Sequence, residues 1–236
     1  MAVAADLHNS DYDDILPLIA EAAPDIIVIP GDLGGSMADC SVAEGNLTSR
    51  YIEESRKNEI GFSFLKKARE IAPVYCSVGN HEVSVSDANR QRYAEAGAVL
   101  LDNEYTRVNG ILLGGLSSGG AHGLFHKSDA PDLEWLGQFA ALDGFKILLC
   151  HHPEYWCRHI VGDGIELTVS GHAHGGQWRF LGQGVFAPGQ GFLPRYTSGV
   201  HKRGGQYMVV SRGLRKKTEV PRINNPPEIV VVDICL

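Results

Sequence analysis

Five short stretches of this 236-residue chain combine aspartate, asparagine and histidine at spacings that suit metal ligation. They are Asp6 with His8; Gly31 with Asp32; the run Gly79, Asn80, His81, Glu82; the pair His151, His152; and Gly171, His172 with His174. In extended backbone, residues i and i+2 point to the same side. Asp6 with His8, and His172 with His174, can therefore each aim two donors one way. The donors are imidazole, carboxylate and amide, without thiolate. That set suits manganese, iron or zinc in a hydrolytic site better than a closed structural zinc. Charge counting favours a pair of divalent ions over one. Asp6 and Asp32 bring two negative charges, while the imidazoles and Asn80 bring none. Two ions then leave a surplus of about two positive charges, suited to a hydroxide and a phosphate oxygen. Such a pair, roughly 3.5–4 Å apart and bridged by one carboxylate, can activate water and clamp an in-line phosphoryl displacement.

Elements that end where these residues begin must do the positioning. Short apolar runs bounded by turn residues read as buried strands at Ala2 to Ala5, Asp25 to Pro30, Val74 to Val78, Gly110 to Leu116, Phe145 to Cys150, Ile165 to Ser170, Tyr207 to Ser211 and Glu228 to Ile234. Five of these runs lead directly into the five polar stretches. In open α/β sheets ligands bind beyond the carboxyl ends of the strands, so the five ends are expected to converge on one crevice. Gly31, Gly79 and Gly171 permit sharp exits and close backbone approach there. A first helix is expected after a cap at Ser10 or Asp11, with its stop at Pro24. A longer one is expected from Leu47 to Ala72, broken at Gly61, and shorter ones from Asp87 to Ala96 and Pro131 to Leu142. Alternating strands and helices in the first half favour an α/β architecture with largely parallel pairing. After Gly171 the Gly/Pro-rich sequence predicts antiparallel strands and long loops. With no linker-like composition break, residues 1–236 read as one domain.

Composition narrows the function classes. Hydrophobic residues make up 44% and charged residues 21%, close to globular averages, which excludes disordered and low-complexity readings. A formal net charge of −7 argues against a broad nucleic-acid footprint, so no nucleic-acid partner is expected. The five cysteines form no CxxC pair, and a reduced compartment suits them. No stretch approaches the run of about 18 apolar residues that spans a membrane. The start MAVAADLHNS lacks the basic and apolar regions of a signal peptide. A cytoplasmic location is the expectation; a membrane leader, if the natural gene encodes one, would lie upstream of Met1.

Taken in order, D-x-H, G-D, G-N-H-E, H and G-H-x-H from Asp6 to His174 resemble the calcineurin-like metallophosphoesterase superfamily. The later stretches GHAHGGQWRF, PGQG, YTSG, VVSRGL and PRINNPPEI are similar to its bacterial YkuE-like branch. The resemblance implies an α/β fold, a four-layer α/β/β/α sandwich of two mixed sheets. It also implies that Asp6, His8 and His174 hold a first metal, that Asn80, His151 and His172 hold a second, and that Asp32 bridges the two. His81 would contact the phosphate and help protonate the leaving oxygen. His151 is preferred to His152 as ligand because the branch commonly reads H-x-P with the ligand first. The implied activity is that of a metal-dependent phosphoric ester hydrolase, a phosphodiesterase in the leading reading, in which hydroxide held by two divalent ions attacks phosphorus. Its partner is a phosphoester substrate, with phosphoesters at membrane surfaces among the candidates. One departure stands out. Family members often carry an acid that orients the catalytic histidine where this chain has Gly35; Glu82 and Asp39 are the candidates to replace it.

Each feature has a plainer reading beside it. Asp6 alone could cap a helix, Asp32 could be a turn aspartate, and Asn80 could be a turn residue tolerating positive φ. These readings must all hold at five strand ends together, which favours ligation. His122, His126, His159 and His201 read as surface or loop histidines, and Arg212, Arg215, Lys216 and Lys217 as a solvated face. Cys150 reads as a small buried hydrophobe. Two functional alternatives remain: a phosphomonoesterase, and a non-catalytic interaction module on the same scaffold. The second should have lost ligands, and none is missing here.

Overall fold

The computed structural model describes residues 1–34, 49–82, 85–119, 130–216 and 221–235, with backbone only over 49–58. The chain begins β1 (Ala2–Val3), α1 (Ile15–Glu21), β2 (Ile27–Pro30), α2 (Ser49–Ile71), β3 (Val74–Ser77), α3 (Asp87–Glu95), β4 (Ala98–Leu101), β5 (Glu104–Val108) and β6 (Ile111–Leu116). It continues with α4 (Leu133–Ala140), β7 (Lys146–Cys150) and β8 (Leu167–Ser170). Four two-residue strands follow, β9 (Arg179–Phe180), β10 (Gln183–Gly184), β11 (Phe186–Ala187) and β12 (Gly191–Phe192), then β13 (Gly199–Arg203), β14 (Gln206–Val210) and β15 (Val230–Val231). One sheet has the order β15-β1-β2-β3-β4, the other β13-β14-β8-β7-β6-β5. Both are mixed. The central pairings β1–β2–β3–β4 and β14–β8–β7–β6 are parallel, and β15, β13 and β5 join antiparallel at or near the edges.

Alternation of side chains along each strand sorts the apolar residues into three layers of core. Val3, Val28, Leu113, Ile147, Leu149, Val169 and Val209 form the layer where the two sheets meet. Their neighbours turn the other way. Ala2, Ala4, Ile27 and Ile29 pack against α1–α3 through Ile19, Phe64, Leu65 and Tyr93. Leu148, Cys150, Met208 and Val210 pack against α4 and Trp156. The result is the α/β/β/α sandwich that the family resemblance implies.

Each of the eight expected strands has its counterpart. Strands β4, β5 and β13 are additional, as is a one-turn π-type helix at Trp156–Ile160. Helix α1 starts from Asp14, without a side-chain cap bond, rather than from Ser10 or Asp11. Ser86 and Asp132 do cap α3 and α4, accepting from Asn89 N–H and Trp135 N–H. Helix α2 passes through Gly61 unbroken. A Cβ there would lie 3.0 Å from Leu33 Cγ, and the Gly61 N–H donates to Asn9 Oδ1 at 3.2 Å. The glycine therefore marks a close approach of helix to strand-exit loops, for a helix cost of about 1 kcal/mol relative to alanine.

Candidate metal centre

The five polar stretches all leave the carboxyl ends of parallel strands. Asp6 and His8 follow β1, Asp32 follows β2, Asn80 and His81 follow β3, His151 follows β7, and His172 and His174 follow β8. The first three strands are neighbours in one sheet and the last two in the other, so the donors face one another across the rim where the sheets meet. The turns that aim them are strained. Asp6, His8, Asp32, His172 and His174 all have positive φ, between 46° and 63°, a region uncommon for residues with a Cβ. Nearby backbone is stripped to make room: a Cβ on Gly79 would lie 2.2 Å from Asp32 Oδ1, and one on Gly171 would lie 2.5 Å from Asp6 Oδ2.

Among the described residues the donor atoms fall into four overlapping groups, with ligand atoms in each group within 4.8 Å of one another. Beside His8, Asp32 and His81, and His152, Glu154 and His172, there are the two that the sequence singles out: Asp6, His8 and His174 form the first, and Asp32, His151 and His172 the second. Asp32 Oδ2 lies between them, 3.4 Å from His8 Nε2 and 3.2 Å from His151 Nε2. In the second group His151 Nδ1 donates to the Pro30 carbonyl at 2.8 Å, which leaves the lone pair on Nε2. That lone pair faces Asn80 Oδ1 at 3.0 Å and His172 Nδ1 at 3.1 Å. In the first group His8 Nε2 and His174 Nε2 lie 3.8 and 3.9 Å from Asp6 Oδ1. His81, grouped with His8 and Asp32, is more open: its side chain is 37% exposed, with Nε2 3.9 Å from Asp32 Oδ2.

Nitrogen and oxygen donors gathered at such distances suit a shared cation. The buried His8 Nε2 makes no hydrogen bond, an orphaned position that ligation would resolve. The donor set therefore fits divalent metal. Protonation equilibria carry the same signature. Burial pushes His8 down to about 3 and holds His172 and His174 well below the usual imidazole range, which keeps them neutral and fit to ligate. Burial also disfavours charge on His151, yet the Asp32 carboxylate raises it to about 10. Burial lifts Asp6 to about 7. It would lift Asp32 too, but His151 and His81 hold that carboxyl well below its ordinary value.

Several features were not legible in the sequence. Glu82, one of the two candidates to orient His81, commits its carboxylate to backbone N–H groups. Its buried carboxylate accepts the N–H groups of Asp32 and Gly79, each at 2.8 Å, and of Gly34 at 3.3 Å, latching the loops after β2 and β3 together. Asp39, His122 and His126 lie outside the described residues. Arg222 places Nη2 3.3 Å from His174 Nδ1, and only the unexplained PRINNPPEI stretch signalled it. His152 is buried with Nδ1 3.3 Å from Glu154 Oε1, and its ring packs on His172 with centroids 4.2 Å apart. Cys150 is buried, and burial pushes its thiol up, as an inert small hydrophobe requires.

The calcineurin-like phosphoesterase family profile matches residues 1–176, a span holding all five polar stretches. The Bacillus subtilis (strain 168) protein YpbG is 28% identical over 98% of this chain and 79% of its own length. The B. subtilis metallophosphoesterase YkuE is 26% identical over 96% of this chain and 76% of its own. A metallophosphoesterase of Aquifex aeolicus (strain VF5) is 26% identical over 68% of this chain and 60% of its own.

Proposed function

Because the chain belongs to the calcineurin-like phosphoesterase family, and so is a metal-dependent phosphoric ester hydrolase, we propose that it is a phosphodiesterase with a dinuclear centre. In this reading Asp6, His8 and His174 hold one divalent ion, Asn80, His151 and His172 hold the other, and Asp32 bridges. The observation that carries it is Asp32 Oδ2, within 3.4 Å of an imidazole nitrogen from each group. The N/O donor set suits manganese, iron or zinc. When bound, two such ions supply Lewis acidity toward phosphate oxygens and an activated water.

The remaining work falls to the chain itself. The Pro30 carbonyl fixes the His151 tautomer so that Nε2 faces inward. Asp32 Oδ1 accepts the backbone N–H of His81 at 3.0 Å, which orients the carboxylate and ties the G-N-H turn to it. His81, the exposed member, meets the incoming phosphoester and gives a proton to the leaving oxygen. Its ring sits edge-on to His8, with centroids 4.7 Å apart, so that packing and the Asp32 contact hold it where a dedicated acid would otherwise be needed. Residues 1–236 are read as one domain, since each sheet contributes to the shared core between them.

The dinuclear half of this reading rests on geometry and the diester half on the YkuE-like resemblance, so they are tested separately. Elemental analysis of the purified protein should return close to two transition-metal equivalents per chain. Parallel assays should show faster turnover of bis-p-nitrophenyl phosphate than of p-nitrophenyl phosphate. One equivalent at saturation would overturn the first half, and the reverse substrate order the second.

A further inference from the structure

The outer nitrogens of two ligating histidines meet opposite partners. His151 Nδ1 lies 2.8 Å from the Pro30 carbonyl, which can only accept. His174 Nδ1 lies 3.3 Å from Arg222 Nη2, which can only donate. The carbonyl favours a proton on Nδ1 of His151 and so leaves Nε2 free for an ion. The guanidinium does the reverse. While it donates to Nδ1, the neutral His174 ring carries its proton on Nε2, the nitrogen that faces Asp6 Oδ1 at 3.9 Å. When Nε2 is freed for an ion, the proton moves to Nδ1 and two donors confront each other. A ring turned to ligate through Nδ1 gives up the Arg222 contact outright. By either route, an ion in the Asp6, His8 and His174 group displaces Arg222, and the fixed charge of the guanidinium adds repulsion.

The backbone holds Arg222 in this position. Ile223 N–H donates to the Gln177 carbonyl at 3.3 Å, and Arg179 N–H donates to the Ile223 carbonyl at 3.0 Å. Trp178 Nε1 donates to the Pro221 carbonyl at 3.0 Å. Asn225 Nδ2 donates to the carbonyls of His174 and Gln177 at 2.7 and 3.1 Å. Residues 221–225 are thus clamped onto the loop that carries His174. The guanidinium itself is poorly satisfied. Its Nε and Nη1 are buried and make no hydrogen bond. Asp6 and Glu228 attract it, while Arg212 and Arg215 repel it. Glu228 is already taken by Arg212, at 2.7 Å from Nε and 2.6 Å from Nη2, and Asp6 belongs to the metal centre. A buried cation with idle donors is costly until an anion completes it. Arg222 also lines a cavity of about 390 Å³ with Lys216, Asn224, Asn225, Pro226 and Pro227, none of them acidic, which gives an oxyanion room beside it.

We propose that Arg222 is an oxyanion-binding residue linked to the ion of the Asp6, His8 and His174 group: it opposes that ion while it donates to His174, and an oxyanion that takes up its donors lets the ion bind. Resting on the dinuclear reading, this makes oxyanion binding and ion binding favour each other.

The test is zinc binding by the full chain at chelator-buffered free zinc, which reads affinity and stoichiometry without turnover. In wild type the weaker equivalent should tighten severalfold when inorganic phosphate or dimethyl phosphate is added at constant ionic strength. The more effective of the two tells whether a free phosphate or a diester is the better occupant. Arg222→Met should bind the weaker equivalent about tenfold more tightly without any anion, and should lose most of the anion's effect. Arg222→Gln, whose amide carbonyl can accept from Nδ1–H, should behave likewise. The tighter equivalent should be unchanged in both variants, which reports an intact fold. A weaker equivalent that does not tighten in either variant overturns the proposal, as does an anion effect equal in wild type and variants. A single equivalent in wild type and variants alike overturns the dinuclear reading and this proposal with it, so the two failures are distinguishable.

Discussion

The two halves of the proposed centre are built differently. Asp32, His151 and His172 are all buried, and His151 is fixed by the Pro30 carbonyl on one nitrogen and faces Asn80 with the other. The half made by Asp6, His8 and His174 is looser. Its imidazole nitrogens stand 3.8 and 3.9 Å from the carboxylate, the His174 side chain is 14% exposed, and Arg222 adds positive charge beside it. A donor already held in place loses little freedom when an ion arrives, whereas a looser one must be ordered then. The buried half should therefore hold its ion more tightly, and the open half should exchange.

The strongest way to break this contrast is Asp32→Asn, since that carboxylate serves both halves. Turnover should fall by on the order of 1,000-fold, and elemental analysis should show both ions depleted. Full occupancy in that variant would remove Asp32 from the bridging role. Next, His151→Ala should cost about 100-fold in turnover and one metal equivalent that added metal does not restore. His174→Ala strikes the open half. It should cost about tenfold, with most activity recovered in excess metal, as followed by activity against metal concentration. If His174→Ala proved the less rescuable of the two, the ranking of the halves would be reversed. Mild chelation sharpens the same point without mutation: a plot of bound metal against chelator should fall in two steps, the first equivalent leaving at a concentration about tenfold lower than the second. Glu82→Gln should have the smallest effect on chemistry. An amide NH₂ would oppose one of the three backbone N–H groups that Glu82 now accepts. Unfolding stability should drop by about 1–3 kcal/mol in denaturant titration, with turnover within about threefold.

Legibility in the sequence followed the same physical division. Runs such as IIVIP and ILLC announce strands buried on both faces, and the Asp, Asn and His clusters at their ends stand out as candidates, although the choice of His151 over His152 comes from the family resemblance. Strands β5 and β13 escaped because their sequences, EYTRV and GVHKR, are largely exposed and give no apolar run to find. The unbroken passage of α2 through Gly61 depends on the Leu33 and Asn9 contacts, which join residues about fifty positions apart in a way no local pattern encodes. Glu82 is one of two candidates, with Asp39, to orient His81, and its carboxylate accepts three backbone N–H groups. A carboxylate that accepts backbone N–H groups leaves no trace in the identities of the residues it serves, and Asp32, Gly34 and Gly79 would read the same without it.

That latch also sets how the rim can move. One carboxylate joins the amide of Asp32 to that of Gly79, so neither loop can open without releasing the other. In native-state deuterium exchange, these two amides and that of Gly34 should behave as a single cooperative unit with one common opening rate, and the Glu82→Gln change should split that rate into independent ones.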